Sequence, residues 1–114
     1  MPEHRTEPVT PDDLLAEVGR ASGLGERATL VQVSSAFCAP CRAARTVLAR
    51  VAEEPGVRHV EVDVAGHEAL AARLDVRSTP VVLVLDAHGR VRERLDGVPR
   101  LAWLRAAVGR VAPA

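Results

Sequence analysis

The apolar positions of the chain repeat with a helical period in some stretches and a strand period in others, and the two alternate to its end. Residues 1–9 show neither period and read as a flexible lead-in to a single domain over 10–114. At Thr10-Pro11-Asp12-Asp13 a hydroxyl cap, a first-turn proline and two carboxylates predict a helix to about Ala21, with Leu14 and Val18 inward. Ser22-Gly23-Leu24-Gly25 breaks it. The β-branched run at 29–33 then predicts a buried strand that stops just before two cysteines. From Pro40 onward Ala44, Val47, Leu48 and Val51 recur at helical spacing, while Arg42, Arg45 and Arg50 take other faces.

Pro55-Gly56 ends that helix, and Val60, Val62 and Val64 alternate with His59, Glu61 and Asp63 in a second strand over 57–64. A short helix at about 67–74 precedes an apolar strand at 80–85, which Asp86-Ala87-His88-Gly89 turns into a further strand at 90–95. After Gly97, Pro99 starts a last helix with Leu101, Leu104, Val108 and Val111 in one stripe and Trp103 at its edge. The order α-β-α-β-α-β-β-α combines a parallel crossover with an antiparallel hairpin. It predicts an α/β fold in which one mixed sheet of about four strands is covered by helices on both faces.

Composition narrows the function. The 114 residues, 47% of them hydrophobic, suffice for one core. Fifteen arginines and no lysine balance 15 acidic residues, and one Phe and one Trp offer no platform for stacked bases, so nucleic acid is not an expected partner. The polar start Met1-Pro2-Glu3-His4 and the absence of an apolar run of roughly 18 residues argue against secretion and membrane insertion. A cytoplasmic monomer is expected. In a reducing cytosol two cysteines are left for redox chemistry, metal binding or inert packing.

Local context weighs these. Cys38 falls at a strand-to-helix junction, where unpaired N–H groups and the helix dipole favour a thiolate nucleophile. Cys41 lies one turn further in, within disulfide reach but more shielded, and so suits the resolving role. Pro40 fixes φ in the first turn at no cost in hydrogen bonds. Zinc would need four ligands, and His59, His67 and His88 are scattered, so a metal would have to be shared between two chains; none is expected.

With these residues in place, Phe37-Cys38-Ala39-Pro40-Cys41-Arg42 resembles the Trp-Cys-Gly-Pro-Cys-Lys signature of the thioredoxin family. Arg77-Ser78-Thr79-Pro80 resembles the family's cis-proline segment, Gly97 the glycine after its last strand, and Asp63 the acidic residue closing its second crossover strand. The resemblance implies a three-layer thioredoxin-like fold and a protein-disulfide reductase that needs no cofactor beyond its own Cys38–Cys41 disulfide. It implies oxidised proteins as substrates, and a thioredoxin reductase or a low-molecular-weight thiol as electron donor. Phe37, Thr79, Pro80, Asp96 and Gly97 would rim the docking surface, a cis Thr79–Pro80 bond presenting the Thr79 backbone to an extended substrate.

The chain also departs from the family. Phe37 replaces its tryptophan, Ala39 its first spacer glycine, and Thr46 a proline that kinks the active-site helix. Gln32, which cannot titrate, stands where the family carries a buried aspartate, and His59 where it usually has a lysine. These two changes are expected to slow deprotonation of Cys41 and to shift the reduction potential. They keep a second reading open, a thioredoxin-fold redox sensor or adaptor without turnover.

Overall fold

In the computed structural model the structure describes residues 23–111, and the lead-in at 1–9 and the helix expected at 10–21 lie outside them. Four strands and three helices follow in the order β1 Ala28–Ser34, α1 Ala39–Val51, β2 Val57–Asp63, α2 Glu68–Arg73, β3 Val81–Leu85, β4 Val91–Asp96 and α3 Leu101–Val111. Every element expected within the described residues is present, with ends displaced by no more than about three positions, the largest shift being α1, which ends at Val51 before the expected Pro55-Gly56 stop.

The strands form one mixed sheet in the order β2-β1-β3-β4. β1 pairs parallel with β2 and antiparallel with β3, and β3 and β4 form the hairpin. Strand alternation sorts the core into two layers. Leu30, Val82, Val84 and Val57 face α1 and α3, where they meet Leu48, Val51, Leu104 and Val108. Val31, Val33, Val60, Val62, Val81, Leu83 and Leu85 face the other way and are covered by Leu70 and Leu74 around α2. β1 and β3 are therefore buried along their whole length, which is why β3 reads as a continuous apolar run, whereas β1 also buries the polar Thr29, Gln32 and Ser34.

Turn chemistry sets the corners. Gly56 has φ +82°, and its carbonyl accepts from the N–H groups of Arg27 (2.8 Å) and Ala28 (3.2 Å), tying the α1–β2 loop to the start of β1. In the hairpin the Asp86 carboxylate accepts from the N–H groups of His88 (2.9 Å) and Arg90 (3.0 Å), with Gly89 left-handed at φ +84°.

Candidate active site

The parallel pairing of β1 with β2 carries both strands to the same end of the sheet, where β1 gives way to the Ser35-Ala36-Phe37 turn and α1 begins. Phe37 sits at φ +56°, an unusual backbone for a residue with a Cβ, and its ring is fully exposed. Cys38 is the N-cap of α1: its backbone is extended, and its sulfur accepts from the Cys41 N–H at 3.1 Å. Ala39 and Pro40 fill the first turn, where no intrahelical N–H bond is lost to proline. One turn on, Cys41 is 1% exposed, whereas Cys38 is partly open to solvent.

Cys38 and Cys41 form a disulfide with Cα atoms 5.2 Å apart. The Thr79–Pro80 bond is cis and lies against it. The Thr79 hydroxyl is 3.5 Å from Cys38 Sγ and the Thr79 carbonyl oxygen 3.8 Å from it, with a Ser35–Thr79 hydroxyl pair at 2.7 Å holding the two loops together. Pro80 is buried, and its carbonyl accepts from the Gly97 N–H at 2.8 Å; Gly97, at φ +111°, has a backbone that favours glycine. Thr79 thus lies beside the Cys38 sulfur, Pro80 follows it in the chain with Gly97 bonded to it, and Phe37 precedes Cys38 with its side chain in solvent. The Asp96 side chain is engaged otherwise, accepting from Arg94 Nε at 2.7 Å, and Arg94 also donates to the Leu74 carbonyl.

Behind the disulfide the α1-facing side of the sheet turns polar. Gln32 is fully buried, and its NH2 group donates to the Cys41 carbonyl (2.8 Å) and to Ser34 Oγ (3.0 Å). The carbonyl can be met only by a donor, so the amide oxygen faces His59. His59 Nε2, 3.2 Å away, must then carry the hydrogen and donate. Burial is the main influence on His59 and pushes its pKa below the ordinary 6.5, against the pull of Glu61. Glu61 itself is held below the usual carboxylate range, chiefly by a two-pronged bond from Arg45 at 2.7 and 2.6 Å. Gln32 and His59 are therefore not neighbouring departures but one hydrogen-bonded unit reaching from β2 to the backbone of Cys41.

A cleft of about 490 Å³ opens at Cys38, lined also by Ser34, Ser35, Ala36, Phe37, Arg42, Arg45, Glu61 and Asp63. Ser34, Ser35, Arg45 and Glu61 escape the sequence reading. The small residues Ser34-Ser35-Ala36 ahead of Phe37 were the signal for the two serines alone, and the register Gln32↔Glu61 and Ser34↔Asp63 that brings Glu61 to them is set by strand pairing. Among the described residues no group of three or more His, Cys, Asp or Glu side chains is placed to hold a metal ion.

The thioredoxin family model matches residues 12–109. Thioredoxin C-2 of Corynebacterium nephridii is 31% identical over 77 residues, 66% of this chain and 71% of that one. A thioredoxin of Fasciola hepatica superposes with a TM-score of 0.64 at 27% identity, over 76% of this chain and 83% of that one. A mutant thioredoxin of Halobacterium salinarum superposes with a TM-score of 0.69 at 21% identity, over 78% of each chain.

Proposed function

The chain belongs to the thioredoxin family and is a thiol–disulfide oxidoreductase in general terms, and on that premise we propose that it reduces protein disulfides through Cys38 and Cys41. The observation that carries the reading is the inequality of the two sulfurs: Cys38 borders solvent at the start of α1 while Cys41 is 1% exposed. In the reduced protein the Cys38 thiolate attacks a substrate disulfide and displaces one of its sulfurs as a thiol. Cys41 then attacks Cys38 Sγ in the mixed disulfide, releasing the second substrate thiol and restoring the Cys38–Cys41 bond.

In this proposal Phe37, Thr79, Pro80 and Gly97 hold the substrate, and Pro40 and Ala39 shape the first turn of the helix. Gln32 and His59 support the first turn of α1, which carries Cys41. Asp96 has a smaller part, since Arg94 already engages its carboxylate. No cofactor is needed besides the cysteine pair. Electrons come from a reductase or a small thiol, and the protein works as a cytoplasmic monomer.

The test is insulin reduction with dithiothreitol or a thioredoxin reductase as donor. Many insulin molecules reduced per chain are expected, abolished by Cys38→Ser. Stoichiometric oxidation without turnover would instead favour the sensor or adaptor reading, which the loss of any titratable group at the buried position of Gln32 supports.

A further inference from the structure

The cleft beside Cys38 lies on the β2 side of the disulfide, and neither Thr79, Pro80 nor Gly97 is part of its wall. Its volume is that of a small-ligand site. Two of its four charges cancel, because Arg45 and Glu61 form a two-pronged pair. The other two, Arg42 and Asp63, are exposed to solvent. Among the described residues the Arg42 guanidinium has no hydrogen-bond or ion-pair partner, and Asp63 has one carboxylate oxygen engaged, by the Ala65 N–H at 2.9 Å. One open cation and one open carboxylate at the edge of a polar cleft, with a reactive sulfur in its wall, match a ligand that carries both opposite charges and a thiol.

We propose that this cleft binds the small-molecule electron donor of the protein, a thiol of amino-acid or short-peptide type whose carboxylate meets Arg42 and whose ammonium group meets Asp63. The inference rests on the thiol–disulfide reading above and names the donor's chemical class. The donor thiolate attacks Cys38 Sγ, the Cys38–Cys41 bond breaks, and its electron pair leaves on Cys41 Sγ, which takes up a proton from solvent. A second donor thiolate attacks the donor sulfur of the mixed disulfide, freeing Cys38 as thiolate. Two thiols become one disulfide as the protein disulfide takes up two electrons.

The test follows loss of the Cys38–Cys41 disulfide in the oxidised full chain by acid quench, unfolding and alkylation. Four thiols serve as reductants: cysteine, cysteamine, mercaptopropionate and mercaptoethanol, each rate divided by its thiolate fraction. Cysteine is expected to exceed mercaptoethanol by about fivefold, the scale of exposed ion pairs, and to lose that advantage in concentrated salt. Arg42→Gln should remove the gain for cysteine and mercaptopropionate, and Asp63→Asn that for cysteine and cysteamine, with mercaptoethanol unchanged in both.

Rates independent of donor charge would overturn the proposal, as would Arg42→Gln slowing mercaptoethanol as much as cysteine, since Arg42 would then act on the sulfur and not on the donor. A chain that turns over insulin but ignores donor charge loses only the cleft. A chain that prefers cysteine but does not turn over insulin loses only the protein-reductase reading.

Discussion

Gln32 shows how much one buried side chain can organise. Its amide meets a backbone carbonyl, a hydroxyl and an imidazole, and no buried side-chain nitrogen or oxygen among the described residues is left without a partner. Gln32→Leu would leave His59 Nε2 without its acceptor and take from the Cys41 carbonyl and Ser34 Oγ the donor they share, so it should cost about 2 kcal/mol of stability in urea denaturation. His59→Gln keeps a donor in reach of the amide oxygen and should cost less. Because burial lowers the His59 pKa, the unfolded chain binds more protons than the folded one just below 6.5, and stability present above that pH drains as pH falls. The urea midpoint should therefore drop between about pH 7 and pH 5 in the wild type, and drop less in His59→Gln. Gln32 and His59 could each be singled out in the sequence. Their bond could not, because it depends on the parallel register that sets Leu30 beside His59.

At the scale of elements, helix α1 was the most legible, since a cysteine shortly after a strand, a first-turn proline and the apolar spacing of Ala44, Leu48 and Val51 all point to one start and one buried face. The Phe37 backbone was not legible. Nothing in a phenylalanine announces φ +56°, a conformation it takes where the chain turns from β1 into α1 across the four residues 35–38. The glycines divide in the same way. Gly97→Ala would force a side chain onto φ +111° and should destabilise by about 1 kcal/mol, although open space surrounds the site. Gly109, inside α3 with nothing within 4 Å of an added Cβ, should give the opposite sign: Gly109→Ala is expected to stabilise by about 0.5–1 kcal/mol. Thermal melts of the two variants check both signs.

For the whole molecule, the two-layer core follows from patterning that period-2 and period-3.6 spacing made readable, and the mixed sheet follows from the crossover and the hairpin. Leu48 is fully buried between α1 and the sheet, so Leu48→Ala should cost about 2–5 kcal/mol, read as a lower denaturation midpoint. What stayed out of reach was the cleft, because it is made by residues too small to fill a space and by charges brought together from α1 and β2. The unequal burial of the two sulfurs has one last consequence. To an electrophile too bulky to pass between α1 and the sheet, the reduced chain is a one-thiol protein, since only Cys38 can be tagged while the fold persists. A label, a probe or an inhibitor warhead attached through sulfur would therefore have a single address, at the rim of the cleft.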